Sequence, residues 1–568
     1  MLNWVKDKLG KNNESVEQIA FARDEYLKVY VSELPVSQPL ICAHEIASTY
    51  ESLMSWPLQD TRRRAVVQQL DEHAQRHLRV AWHMMFPKTD EAGINEPCWA
   101  ALSRYYQAMA DLCARLTAIP ATEDERRELT TTANLALYAM SRQDLLQRLR
   151  QRPPDAGFWR RLFDLYRKCE GAKLSHRKVE QAGYLRGSTA GRLFARIVAF
   201  EAGPLESFSP MQSHAHFHLV ARFEDELSLA TSPAASHVFF IDLADAAGPR
   251  RWRADSKLAT TCRFLDVARV HARLQVLLRD STRERNLPDW MAETECGIAA
   301  YMRLLNHLIK AWAAAAPNRR HSRTAAQADF LVCHEFGQVR RMVAAAEYAR
   351  NEARRDEMRY VGSELYDPKR FDEVHFGTVE TPAGSHHARH VRKPRTALEI
   401  LAKLETAGDK GLMDLWKIED HSERGFGALP VTTARWARVS AILAFRQPTR
   451  ARWNIGLIRR VTANAAGRQL LGIEVYRGEA AVAKVKLLSE RDAEINRDQH
   501  AADETAVDAI MLISAEKQLI LPRAKFVANA AAVMHYGGNQ TRIRLGDALE
   551  VGEDYVVCPF GVWVPVAA

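Results

Sequence analysis

Asp420-His421-Ser422-Glu423-Arg424-Gly425 sets an acid, a hydroxyl and a glycine at the spacing D-x-S-x-x-G, and Arg319-Arg320-His321-Ser322-Arg323 sets two arginines at R-x-x-x-R. A guanidinium is a planar fork of donors that fits a phosphate or the acceptor edge of guanine and also stacks on a base. A carboxylate supplies the acceptors that arginine lacks, for the ring and amino hydrogens of guanine, and Ser422 gives or takes one more bond. Gly425 permits a sharp turn and a close backbone approach. Together these residue types suit a guanine nucleotide.

In this order, and followed by short strands, the two motifs resemble those of the PilZ family of cyclic di-GMP receptors, over roughly residues 315–480. The resemblance implies an antiparallel β-barrel that binds cyclic di-GMP, needs no other cofactor and catalyses nothing. It implies that Arg319 and Arg323, with Arg320 beside them, wrap the dinucleotide from a segment just before the first strand. Asp420 and Ser422 are then expected to read a guanine edge, with Gly425 shaping the turn. The outputs it implies are bacterial motility, attachment or biofilm behaviour. Arg323 and Asp420 are 97 residues apart. That gap predicts a helical insertion over about 340–410, projecting from a sheet that holds both Phe330–Cys333 and the strand ending at Asp420.

The chain has 568 residues, 47% hydrophobic and 26% charged. Such a composition is ordinary for a globular protein, and the length implies about three or four domains of ~150 residues. A net charge of +9 with pI ≈ 9.1 admits an anionic partner. Yet the two signs are interspersed and no aromatic series alternates with the basic residues, so nucleic-acid binding is permitted and not indicated. The eight cysteines are scattered without a C-x-x-C pair, as buried free thiols of a reducing compartment are. Residues 1–20 mix charges among their apolar residues and no segment has the ~18 apolar residues of a membrane span. The expected location is cytoplasmic. No P-loop, G-x-S-x-G, H-E-x-x-H or dinucleotide fingerprint is present, so no enzymatic activity is expected.

Periodicity predicts a multi-domain α+β chain. Residues 1–171 read as a helical bundle or repeat-like array, with Ala65, Val66, Leu70, His73, His77 and Ala81 at helical spacing. Trp99, Leu102 and Tyr106 recur as Trp159, Leu162 and Tyr166, either a faint repeat or two ordinary aromatic helix faces. Residues 172–310 read as mixed: strands at His214–Leu219 and Val238–Ile241, then helices at Phe264–Leu278 and Trp290–Trp312, the latter with Ile298, Met302, Leu305 and Ile309 on one face. Residues 311–480 form the barrel candidate. Strands are expected at Phe330–Cys333, Leu415–Glu419, Ala437–Phe445, Trp453–Val461 and Leu470–Tyr476, with Gly456 and Gly472 at tight bends. Residues 481–568 add a polar link at Arg491–Asp508 and further short strands, either a second small barrel or an extension of the first.

Two other clusters have weaker claims. His214, His216 and His218 on one strand face offer metal-ligand geometry, but no carboxylate or cysteine stands at a matching spacing, and a core or surface role is the simpler reading. His386, His387 and His390 with Arg389, Arg392 and Arg395 read as a solvated basic turn. The expected function is a receptor that couples dinucleotide binding to a protein partner through the helical half. The rivals are a degenerate PilZ scaffold that has lost its ligand and, behind it, a basic nucleic-acid-binding protein.

Overall fold

The computed structural model describes residues 21, 23–35, 37–86, 94–120, 122–180, 183–253, 259–294, 296–315, 323–365, 395–406, 413–434, 436–463, 468–488, 506–514 and 516–562. The chain divides into two compact units, Met1–Asn318 and Arg319–Ala568.

The first unit is mainly helical: α1 (Asp24–Glu33), α2 (Pro39–Leu53), α3 (Asp60–Met85), α4 (Glu96–Leu116), α5 (Glu123–Leu149), α6 (Ala156–Gly171), α7 (Ala190–Glu201) and α8 (Pro210–Arg222). Several helices start where a side chain satisfies a free backbone N–H: Asn95, Thr122, Asp155 and Thr189 each accept from the residue three positions on. From Leu129 onward α5 is buried on nearly every face, and α4, α7 and α8 pack around it. A helix buried all round lies in the middle of its unit, and its polar residues, Thr130, Asn134 and Ser141 among them, bond to carbonyls of their own helix. Leu102, Tyr106, Trp159, Leu162 and Tyr166 are all core residues. Asp71 of α3 accepts from Tyr105 of α4 (2.9 Å) and from Tyr184 (2.8 Å), which ties three segments together.

The histidine triplet lies on α8 and not on a strand. Pro210 opens that helix, and Ser209 with Gln212 forms a reciprocal capping box. Alternating polar and apolar residues misled because both faces of α8 are buried. His216 meets the Phe200 carbonyl at 3.1 Å, while His214 and His218, one turn apart, join through their Nε2 atoms at 3.1 Å. The three rings therefore share no metal-binding face.

A small antiparallel sheet follows, of order β1-β4-β2-β3, from β1 (Ser228–Ala230), β2 (His237–Asp242), β3 (Arg250–Arg251) and β4 (Cys262–Asp266). The Val238–Ile241 strand is as expected. The helix expected from Phe264 instead begins at Ala268, because Phe264 and Leu265 are taken into β4. Helix α9 (Ala268–Glu284) packs on α10 (Ile298–Trp312), whose buried face is Tyr301, Leu304, Leu305, Leu308 and Trp312. That face is rotated from the expected one and shares only Leu305 with it.

The second unit contains a closed barrel of β5 (Thr324–His334), β6 (Met413–Ser422), β7 (Gly425–Pro430), β8 (Ile442–Arg446), β9 (Asn454–Ala463) and β10 (Gln469–Val475), in the order β10-β7-β6-β5-β8-β9. Its interior holds Val332, Trp416, Ile418, Phe426, Leu443, Ile458 and Leu471. The C-terminal strands are β11 (Glu479–Leu487), β12 (Val507–Ile513), β13 (Gln518–Pro522), β14 (Ala531–Tyr536), β15 (Asn539–Leu545), β16 (Glu550–Val551) and β17 (Tyr555–Val562). Their sheet runs β13-β12-β11-β14-β15-β17-β16, and β13 also pairs with β17, so it closes on itself as a second barrel. With the short β16 set aside, both rings link their strands in the same sequence: first, second, third, sixth, fifth, fourth, and back to the first.

Between β5 and β6 lie α11 (Phe336–Leu365) and α12 (Ala397–Thr406). The described helices of the expected projection do not project. Phe336, Val339, Met342, Val343 and Ala346, with Ile400 and Leu401, share one core with Ile442 and Ile455 of the first barrel and Ile510 and Tyr555 of the second. Arg340 pairs with Asp508 at 2.9 Å, and Arg350 pairs with Glu479. The apolar stripe of α11 thus fills the seam between the barrels, which a solvated insertion has no reason to carry.

Two buried clusters generate predictions. Arg446 of β8 donates to Glu405 of α12 (Nε to Oε1 2.9 Å), with side-chain exposures of 3% and 6%. Removing one partner strands the other charge away from water, so Glu405→Ala should lower unfolding free energy by about 3–5 kcal/mol in urea titrations. A surface-like effect, under about 1 kcal/mol, would show that α12 is not docked. In the first unit Asp144 is buried beside the Arg148–Glu201 pair, and burial, then the neighbouring Glu201 charge, holds its carboxyl protonated well above the usual range. The folded state therefore keeps a proton that the unfolded chain releases, and stability falls as pH rises from the unfolded pKa toward the folded one. Asp144→Asn mimics the protonated acid. Its melting temperature should match wild type near pH 4 and exceed it increasingly toward pH 8, as differential scanning calorimetry will read.

Candidate ligand-binding site

The two motifs meet on the first barrel. β5 pairs antiparallel with β6, with Thr324 opposite His421 and Ala325 opposite Asp420. That register brings Arg323, the residue before β5, beside Asp420, and Arg323 Nη1 donates to Asp420 Oδ1 (3.0 Å) and Oδ2 (2.9 Å). The Gly427 N–H also donates to Asp420 Oδ1 at 3.0 Å. Side-chain exposures of 35% for Arg323 and 31% for Asp420 make this a solvent-accessible pair. A bulge interrupts β6 between Ile418, which is buried, and Asp420. Bulges of this kind re-aim a side chain next to a functional surface.

Ser422 ends β6 and donates through its hydroxyl to the Gly425 carbonyl at 3.2 Å across the hairpin. Gly425 opens β7. A Cβ there would lie 1.9 Å from the Ile473 carbonyl oxygen, so the approach of β10 is what requires glycine. Arg319 and Arg320 lie outside the described residues, as do His386, His387, Arg389, His390 and Arg392 of the other basic cluster. Arg395 of that cluster pairs with Asp356 at 2.8 Å.

Three further residues belong to this surface. Asp420 lies opposite Gly427, Gly427 opposite Gly472, and Gly472 opposite Arg460, across four neighbouring strands. Directly opposed residues of a sheet present their side chains to the same face. A Cβ on Gly427 would sit 2.7 Å from Asp420 Oδ1, and one on Gly472 would sit 3.2 Å from Arg460 Cβ. The row is therefore an acid, a floor of two glycines and a base. Arg460 is half-buried, and its side chain makes no hydrogen bond or ion pair among the described residues. Strand glycines at 427 and 472 were the available sequence signal, but only the register shows that they are neighbours.

Chemically the surface offers a carboxylate acceptor, a hydroxyl, two guanidinium groups and a patch of backbone without side chains. It lacks a nucleophile paired with a base. Among the described residues no helix is long and apolar enough to cross a membrane.

Residues 25–234, within the helical unit, match the family model described as "Cyclic-di-GMP receptor FimW, N-terminal domain". No curated protein and no solved structure gives a match. The match associates the amino-terminal region with a cyclic-di-GMP receptor function, which is non-catalytic.

Proposed function

We propose that this protein is a cyclic di-GMP receptor whose first barrel, of PilZ type, holds the ligand and whose helical unit carries the output. The observation that carries the reading is the pairing of β5 with β6, which joins Arg323 to Asp420 across 97 residues of chain. The likeness of residues 25–234 to the N-terminal domain of a cyclic-di-GMP receptor supports it independently.

In this reading Arg323 releases Asp420 when the dinucleotide arrives. Its guanidinium, with those of Arg319 and Arg320, takes the phosphates through charge-assisted bonds. Asp420 and Ser422 then accept and donate along a guanine edge. The base lies over Gly427 and Gly472, where no side chain obstructs it, and Arg460 bounds the far side. The exchange is feasible because an exposed ion pair contributes only about 0–1 kcal/mol, less than the ligand contacts that replace it. Arg319 is the first residue of the second unit in sequence, and the motif has two arrangements, with and without ligand. A ligand shifts that equilibrium only by its differential affinity for the two arrangements. The partner is a protein met through the helical unit, in the cytoplasm, with motility, attachment or biofilm formation as the output.

Calorimetry with cyclic di-GMP, GMP, GTP and an unrelated oligonucleotide tests the assignment. Selective binding of the cyclic dinucleotide is expected. No heat at high micromolar ligand would leave a scaffold, and tighter binding of the oligonucleotide would leave a nucleic-acid-binding protein. Arg319→Ala and Arg323→Ala should each weaken binding by about 1.5–3 kcal/mol, the scale of a hydrogen bond to a charged group. Asp420→Asn keeps shape but turns one acceptor toward the donors of guanine as a donor. The free variant should melt near wild type while the ligand-induced rise in melting temperature shrinks or disappears. Early melting of the free variant would mark Asp420 as a structural residue bonded to Gly427.

A further inference from the structure

The helical unit brings together three side chains of metal-ligand type that the receptor reading does not use. Cys42 lies on α2, and His73 and His77 lie one turn apart on the facing side of α3. The Cys42 sulfur and one ring nitrogen from each histidine all lie within 4.8 Å of one another. Cys42 is fully buried and His77 is 4% exposed. His73 is half-buried, and its Nε2 is shielded from solvent without a hydrogen-bond partner. An orphaned ring nitrogen beside a thiol is costly unless something else satisfies it.

We propose that Cys42, His73 and His77 bind a zinc ion that clips α2 to α3. Two histidines at i and i+4 project from one helical face and bite a single ion, and a cysteine from the opposite helix completes a three-point set. One thiolate and two imidazoles are borderline-soft donors, suited to zinc and unsuited to magnesium or calcium, which take oxygen ligands. Zinc bond lengths of about 2.0–2.3 Å place tetrahedral ligands about 3.5 Å apart. Binding therefore requires the ligand atoms, now within 4.8 Å of one another, to draw in by about 1 Å.

The fourth position falls to water, since no carboxylate joins the three ligand atoms among the described residues. Arg76, whose Nε donates to His77 Nε2 at 3.1 Å, is solvent-exposed and swings out as the ion enters. On binding, the thiol proton goes to solvent and the sulfur–zinc bond takes its place, with no change of oxidation state. Because the three ligands come from two helices, the ion constrains their spacing directly. Its three ligands belong to the first unit and the motif residues to the second, so zinc and dinucleotide binding are read out by separate titrations.

The test uses the full chain, stripped with a chelator and titrated with zinc against a competing chromophoric chelator. One tightly held zinc per chain is expected, with a higher melting temperature in its presence. Cobalt in place of zinc should give the visible bands of a tetrahedral ion together with a near-ultraviolet sulfur-to-cobalt charge-transfer band. Cys42→Ser should abolish that band, and Cys42→Ser and His73→Ala should each weaken zinc binding at least tenfold. If wild type shows no saturable zinc, or both variants bind it as wild type does, the proposal fails. Should either variant fold poorly without metal, the cobalt spectrum of wild type decides alone: a thiolate band supports the site, and its absence with bound cobalt overturns it.

Discussion

The pairing of β5 with β6 is the constraint on which the second unit rests. The two strands are separated by a stretch of chain that includes α11 and α12, yet they lie side by side with Phe330 opposite Trp416 and Ala325 opposite Asp420. This pairing closes the first barrel. It also fixes where α11 leaves the sheet, and hence which face of that helix fills the seam with the second barrel. A slip of one residue would turn inward-facing Trp416 and Ile418 toward solvent and carry Asp420 away from Arg323. Burial of the apolar set therefore enforces a register whose polar consequence is the motif pair.

Two arginine–carboxylate pairs in this unit have opposite physical characters. Arg446 and Glu405 are almost wholly out of water, with further acceptors for the guanidinium from the carbonyls of Gln447, Pro448 and Arg450. Such a pair is fixed, because neither partner has anywhere else to go. Arg323 and Asp420 are each about a third exposed, and water competes for both. Their bond is weak enough to exchange for a ligand and specific enough to hold Asp420 in place meanwhile. The scaffold is thus rigid where it joins helices to barrels and yielding where the motif lies.

Local chemistry made part of this legible in the sequence. The helical half, most of the barrel strands and the placing of Phe330–Cys333 with Asp420 in one sheet could be read from periodicity and from the motifs. The histidine triplet could not, since alternation signals a strand only when one face is exposed, and α8 is buried on both. Helix α11 looked like a surface insertion because its Arg- and Glu-rich sequence hides a narrow stripe of Val339, Met342, Val343 and Ala346. Gly427, Gly472 and Arg460 form a row only through cross-strand register, which no single stretch of chain contains.

The shared strand order of the two barrels bears on how the chain reaches its native state. Neighbouring domains of one topology are prone to misassembly, in which an equivalent strand of one docks in the other. Gly425 obstructs that exchange. Its place in the first ring lies so close to the Ile473 carbonyl that no Cβ fits, whereas the corresponding first residue of the third strand in the second ring is Gln518. β13 therefore does not fit the place of β7 beside β10, and a strand exchanged between the rings meets a steric clash at that contact as the first ring closes.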